Sequence, residues 1–239
     1  MPFVSKAIGI PLVKVAARVM LGESLATLRE NGGLKDKVAS NHVSVKEAVL
    51  PFNRFPETDA ILGPEMRSTG EVMGIDMTPG LAFAKSQIAA GMALPEQGAV
   101  FLSLADRDKD LGVETASLLT QLGFTIAATS GTASALNAAN IEVIDVIAKI
   151  GEKGGTTAIE LIESGKIRLV INSPRGRGPR ADGDHIRKAA AEQGIPLLTT
   201  ASAGLALAKG LVDWRSHTLR VRPLQHFHIT ASAQQRLEI

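Results

Sequence analysis

From residue 98 onward, short apolar segments of strand length alternate with segments of helical pattern. The apolar segments predict strands at 100–104, 124–128, 143–150, 167–171 and 195–199. The segments between and after them predict helices over 106–122, 131–139, 157–165, 182–193 and 202–211. The strands are apolar throughout rather than alternating, which is typical of strands covered on both faces. The pattern therefore predicts an α/β fold, a doubly wound five-stranded parallel sheet.

The pattern before residue 93 is less regular. It predicts helices over 10–20 and 78–91 and a strand over 43–50, whereas residues 51–74 are typical of loops and the first six residues show no element. Long irregular connections are uncommon within a compact domain. We therefore expect two parts, residues 1–92 and 93–239. The first is incomplete, and it either packs against something outside this chain or is the end of a larger domain.

Composition excludes several classes of function. Aromatic residues make up only 3% of the chain, so the core is aliphatic and the stacking platforms of single-strand nucleic-acid binding are scarce. Cysteine is absent, which excludes disulfides, thiolate metal sites and a cysteine nucleophile. We see no apolar run long enough to span a bilayer and no signal peptide. The expectation is a cytoplasmic protein without nucleic-acid or membrane partners.

Polar and cationic residues follow the predicted strands where these end. In a parallel sheet these ends share one edge, and ligands of open α/β folds bind there. Free N–H groups at a helix start and arginine side chains both suit a phosphate or carboxylate. The edge therefore predicts a site for a nucleoside monophosphate or another small anion. Its residues are Ser103, Lys109, Thr129, Gly131, Thr132, Lys149, Asn172, Ser173, Arg175, Gly176 and Arg177.

Simpler interpretations of the same residues exist. Ser130 or Thr132 could serve only to cap the following helix, and the lysines could be ordinary solvated charges. The loop 172–184, taken by itself, is equally consistent with a solvated basic loop. The convergence of four strand ends favours the anion site.

Catalytic and metal-binding residues are not predicted. The chain has no Walker phosphate loop, no Gly-x-Ser-x-Gly and no Gly-x-Gly-x-x-Gly. The sequence favours tail residues over metal ligands for His226 and His228, and it shows no partners for His42 and His217. His185, in the helix after the arginine loop, could touch a ligand, but the pattern favours a surface position.

Several segments resemble the large subunit of carbamoyl-phosphate synthase. Residues 3–12 (FVSKAIGIPL), 51–56 (PFNRFP) and 62–74 (LGPEMRSTGEVMG) closely resemble the end of its second ATP-grasp half. Residues from 103 onward, with 128–132 (ATSGT) and 171–177 (INSPRGR), resemble its C-terminal regulatory domain. The resemblance implies a methylglyoxal-synthase-like fold for residues 93–239 and an ATP-grasp remnant for residues 1–92.

The resemblance also implies a function. That enzyme makes carbamoyl phosphate from bicarbonate, ATP and glutamine-derived ammonia for pyrimidine and arginine biosynthesis, and this part would contribute the allosteric effector domain. Implied partners are the remaining part of the large subunit, the glutaminase small subunit, and effectors such as UMP, IMP or ornithine. The effector positions that match are Lys109, Thr129, Thr132, Lys149 and Asn172, with the loop 173–177. Some relatives with nucleotide control carry a second threonine after the asparagine, where this chain has Ser173, Pro174 and Arg175. This departure leaves open the identity of the effector and whether UMP regulates this member at all.

By the same resemblance, the segment with metal ligands and a phosphate-binding arginine precedes the part present here, as do the ATP-binding loops. We therefore expect no cofactor in this chain, ATP with Mg or Mn in the complete enzyme, and no carbamoyl phosphate synthesis by this polypeptide alone. It would be a truncated product or one piece of a split subunit. The alternatives are a free-standing methylglyoxal synthase and a plain nucleotide-binding module. Against the synthase, its two aspartates fall on Thr156 and Ser173 and its histidine on Arg180.

Overall fold

The computed structural model describes residues 2–34, 41–49, 70–147, 156–173 and 181–228, with backbone only at positions 181, 182 and 184. The helices are α1 Pro2–Ile8, α2 Leu12–Met20, α3 Leu25–Glu30, α4 Pro79–Ala89, α5 Lys109–Gln121, α6 Ser130–Ala138, α7 Ala158–Glu163, α8 Ala181–Glu192 and α9 Ala201–Ser216. Short 3₁₀ turns lie at Asp106–Asp108 and Leu224–Phe227. The strands are β1 Val43–Val49, β2 Gly70–Asp76, β3 Ala99–Ser103, β4 Thr125–Thr129, β5 Asp145–Ile147, β6 Ile167–Asn172 and β7 Leu197–Leu198.

The central sheet has five parallel strands in the order β5-β4-β3-β6-β7. Helices α5, α6 and α9 cover one face, and α7 and α8 cover the other. Alternate residues of β3 point into the two layers. Val100 and Leu102 belong to one layer and Phe101 to the other, and all three are fully buried. Burial on both faces explains why the strands are continuously apolar, and the predicted doubly wound α/β fold is confirmed.

Helix ends follow the local signals in the sequence. The Thr78 hydroxyl accepts a hydrogen bond from Leu81 N at 3.2 Å, and Gly91 lies at φ +94° just after α4. Thr157 and Glu160 form a reciprocal capping box at the start of α7. The backbone and hydroxyl hydrogen bonds from Thr157 hold the pKa of Glu160 below its usual value. At the other end of the chain, α9 continues to Ser216, beyond its predicted end at 211.

A two-stranded antiparallel sheet, β1 with β2, precedes the central sheet. The prediction of a loop over 64–74 is wrong for Gly70–Gly74, which belongs to β2. Gly74 has a packing reason in this strand. A Cβ at Gly74 would overlap the carbonyl oxygen of Ala82 on α4, so the helix lies directly on the strand at this glycine. The rest of that segment, 51–69, lies outside the described residues.

The first helices depart from the sequence prediction in two ways. Helix α1 begins at Pro2, where no element was predicted, and α3 was also missed although the Ser24 hydroxyl caps it by accepting from Thr27 N at 3.1 Å. Both are shorter than the window of about 11–18 residues over which helical periodicity is recognised. Helix α2 forms as predicted, but Val15 is its only buried residue and Met20 is 87% exposed.

Helix α4 contacts the β1–β2 sheet on one side and α9 on the other. The Thr78 hydroxyl donates to Asp213 Oδ2 at 2.6 Å, and Gly80 lies against Gly210 where the helices cross. A Cβ at Gly210 would come within 2.6 Å of the Gly80 carbonyl oxygen. The contact between the two parts of the chain is therefore a backbone-to-backbone approach. In the ranges described, no helix is long and apolar enough to cross a membrane.

Candidate functional site

The carboxyl ends of β3 and β6 are tied together by Ser173. In the parallel register, Ser103 on β3 pairs with Asn172 on β6. Ser173 N donates to Ser103 O at 2.9 Å, and the Ser173 hydroxyl accepts from Ala105 N at 3.0 Å. Ser173 is only 5% exposed, so its hydroxyl is part of the framework of this edge.

Thr132 ties the start of α6 to the end of β3. Its Oγ1 accepts from Leu104 N at 3.0 Å and from the Thr129 hydroxyl at 3.2 Å, and the residue is 2% exposed. The N-cap position of α6 is Thr129, whose side chain makes no capping bond, so neither Ser130 nor Thr132 caps the helix. The helix-capping interpretation is wrong for these hydroxyls.

The uncapped start of α6 leaves N–H groups of its first turn at this edge, beside Thr129 and Gly131. Thr129 is half-buried, whereas Thr132 is inside. A ligand at this edge therefore meets the Thr129 hydroxyl and the helix N–H groups before it meets Thr132.

Lys109 is the first residue of α5, which starts at the same edge after the 3₁₀ turn that follows β3. Its Nζ lies 2.8 Å from Asp106 Oδ1, and its side chain is 26% exposed. The carboxylate is far more exposed, at 77%, so water and salt screen it. The Lys109 ammonium group is thus paired with an exposed carboxylate at the start of α5.

The described residues bring Ser103, Lys109, Thr129, Gly131, Thr132, Asn172 and Ser173 to one edge of the sheet. The other predicted site residues, Lys149, Arg175, Gly176 and Arg177, lie outside the described residues, as does Arg180.

Sequence reasoning missed a buried cation beneath this edge. Arg187 on α8 is 1% exposed, and its Nη1 donates to Asn172 Oδ1 at 3.3 Å. The signal was present: Arg187 lies four residues after Gly183 and three before Ala190, within the buried stripe of α8. An arginine in an apolar stripe needs a polar partner inside the protein, and here Asn172 is one.

The histidines differ in their surroundings. His185 is exposed, as predicted. His42 and His228 have partners that the sequence did not reveal: their Nε2 atoms lie 3.1 Å from Ala7 O and 2.7 Å from Lys6 O at the end of α1. The expectation that they lack partners is wrong for both, because these contacts join distant segments. Across the described ranges, no group of three or more His, Asp or Glu residues could hold a metal ion.

Two surface grooves lie away from this edge. One, of about 260 Å³, lies between the start of α4, Leu111 and Lys209. The other, of about 320 Å³, lies between Pro95, Phe124 and Trp214. Neither is lined by a predicted site residue.

Comparison with known proteins relates this architecture to a family. Residues 112–199 match the model of the MGS-like domain. The chain is 45% identical over 226 residues to the carbamoyl phosphate synthase large chain of Synechocystis sp., covering 95% of this chain and 20% of the relative. It is 44% identical over 228 residues to the large chain of Archaeoglobus fulgidus, covering 95% and 21%. It is also 43% identical over 230 residues to the large chain, C-terminal section, of Methanocaldococcus jannaschii, covering 93% and 37%. The chain thus spans about a fifth of the length of the large chains it matches.

Proposed function

We propose that this chain, a relative of the C-terminal part of carbamoyl phosphate synthase large chains with an MGS-like domain, binds a small anionic effector and so regulates carbamoyl phosphate synthesis. The observation that carries the proposal is the edge where β3, β4 and β6 end. There buried hydrogen bonds through Thr132 and Ser173 tie the start of α6 and the end of β6 to the segment that follows β3, four residues before Lys109.

The chemistry of this edge favours a phosphate or carboxylate. Helix N–H groups, a hydroxyl and an ammonium group are all donors, and the site lies where parallel α/β sheets bind ligands. The framework is already hydrogen-bonded, so a ligand would not have to order it. A nucleoside monophosphate such as UMP or IMP fits this set of donors, and ornithine would bind through its carboxylate.

A packed route leads from this edge to the N-terminal part of the chain. Gly204 of α9 lies against Ile171, the residue before Asn172, and Gly210 of the same helix lies against Gly80 of α4. An effector that binds one arrangement of these elements better than another would shift the balance between them. Contiguity of this kind supports coupling, and measurement of both sites has to establish it.

For the complete enzyme, we propose glutamine-dependent synthesis of carbamoyl phosphate from bicarbonate and ATP in the cytoplasm. Partners would be the remaining parts of the large chain and a glutaminase small subunit. ATP and its Mg or Mn would bind in those remaining parts, and this region alone would not complete the reaction. We also propose the division into an ATP-grasp remnant, residues 1–92, and the effector domain, residues 93–239.

A free-standing methylglyoxal synthase is the second candidate, and nothing in the part of the edge that the structure describes favours it. Proton transfer in that reaction needs carboxylates. At the two positions where the resemblance would place aspartates, the chain has Thr156, which is exposed, and Ser173, whose hydroxyl accepts from Ala105 N.

Calorimetric titration of the full chain with UMP, IMP and ornithine tests the proposal. We expect saturable heat from at least one of them, reduced by excess inorganic phosphate if the ligand is a nucleotide. No heat from any of the three would contradict the effector site. Release of phosphate from dihydroxyacetone phosphate by the same preparation would instead support the synthase.

A further inference from the structure

The guanidinium of Arg187 is a permanent charge held inside the protein. Arg187 is 1% exposed, and arginine does not lose its proton in proteins. Burying a guanidinium costs desolvation free energy that an apolar side chain of similar volume would avoid. Its neighbours in the buried stripe of α8 are Ile186, Ala189 and Ala190, so an apolar residue would suit this layer. The arginine therefore points to a task that an apolar side chain could not perform.

The contact with Asn172 indicates one such task. Arginine has donors and no acceptor, so the Asn172 atom that faces Nη1 at 3.3 Å has to be the amide oxygen. The Asn172 NH₂ group, which is a donor, is then turned away from Arg187. Asn172 is the last residue of β6, beside Ser103 at the ligand edge, and is 3% exposed. In such a buried place, the orientation of an amide decides whether it donates or accepts.

Gly183 leaves room for the guanidinium at this position. A Cβ at Gly183 would lie 2.6 Å from Arg187 Nη1 and 3.4 Å from Asn172 Oδ1. A larger residue in the first turn of α8 would push the guanidinium off the amide. Gly183, Arg187 and Asn172 thus form one packed unit beneath the edge.

We propose that Arg187 is a positioning residue of the effector site, which fixes the Asn172 amide as a donor and so selects ligands that present an oxygen acceptor, such as a phosphate or a carboxylate. The inference rests on the proposed effector function. It adds a residue that does not touch the ligand but determines, from beneath the edge, that Asn172 offers a hydrogen-bond donor.

Substitutions in the full chain test this role by calorimetry with UMP and IMP. We expect R187M to weaken nucleotide binding about tenfold or more, which is the scale of a lost charge-assisted hydrogen bond. R187K should recover part of that loss. The control K188M removes the same charge from the next, exposed position of α8 and should stay within about twofold of wild type. Circular dichroism at the assay temperature confirms that each variant is folded.

A double-mutant cycle distinguishes positioning from general support of the fold. If Arg187 acts through Asn172, R187M should cost much less in affinity on an N172L background than on wild type. G183A supplies an independent variant that keeps both partners but displaces the guanidinium, and it should weaken binding in the same direction. G183A and R187K carry the test if R187M does not fold.

The outcomes separate the two proposals. If the wild-type chain binds a nucleotide and R187M and G183A bind it equally well, Arg187 has no positioning role and the effector site stands. If R187M lowers the affinity by the same factor on the N172L background as on the wild type, the positioning role is also overturned. If the wild type binds neither nucleotide nor ornithine, the proposed effector site is contradicted, and so is this inference.

Discussion

Replacing Thr132 by valine should destabilise the chain more than replacing it by serine, although valine keeps the shape of the side chain. In T132V, Leu104 N loses the acceptor at 3.0 Å, and Leu104 is 3% exposed, so water cannot replace it. An unsatisfied buried donor costs about 1–3 kcal/mol. The Thr129 hydroxyl also loses its acceptor, but it is half-buried and can turn to solvent. We therefore expect a loss of about 2 kcal/mol for T132V.

T132S is the matched control, because it keeps the hydroxyl and removes only a methyl group. The methyl is worth about 0.8 kcal/mol. Urea denaturation followed by circular dichroism measures both variants, and T132V should also lower the Tm by about 4–8 °C, given the size of the chain. If T132V proves as stable as T132S, the buried Leu104 N–H does not depend on Thr132, and the account of this edge as a hydrogen-bonded framework is refuted.

Three further predictions address the ligand, the interface and pH. T129V should weaken nucleotide binding about tenfold in calorimetry with little change in stability, because the Thr129 hydroxyl is half-buried at the edge. Unchanged affinity would show that Thr129 is not part of the site. G210A should lower the urea midpoint, because its Cβ would meet the Gly80 carbonyl oxygen at 2.6 Å. This clash should outweigh the better helix propensity of alanine, which is worth about 1 kcal/mol. A raised midpoint would contradict the tight crossing of α4 and α9. The lowered pKa of Glu160 means that its ionised form adds stability above the ordinary glutamate pKa, and that this stability is lost as the pH falls through the lowered value. E160Q should therefore flatten the acid side of a stability profile from about pH 7 to about pH 3, and a profile parallel to wild type would show that the capping box does not contribute.

Much of the candidate site could be predicted from the sequence because parallel strands place their carboxyl ends together. Ser103, Thr129 and Asn172 each follow an apolar segment, and the structure brings them to one edge. What each side chain does there was not predictable. Ser173 and Thr132 accept hydrogen bonds from Ala105 N and Leu104 N inside the protein. These partners are 68 and 28 residues away, so local sequence patterns do not reveal them.

The sequence by itself determined the order of helices and strands after residue 98 and where most of them end. These features are local: a strand buried on both faces needs a continuous apolar segment, and a helix end needs a cap within a few residues, as Thr157 and Glu160 show. Only the tertiary structure decided the strand order, the pairing of β2 with β1, the contact of α4 with α9 and the burial of Arg187 against Asn172. Each of these depends on groups far apart in the chain, such as Thr78 and Asp213, which are 135 residues apart. Glycine at positions 74, 80 and 210 is typical of a loop or a helix break when considered alone. In the fold, glycine is the residue that allows two backbones to touch.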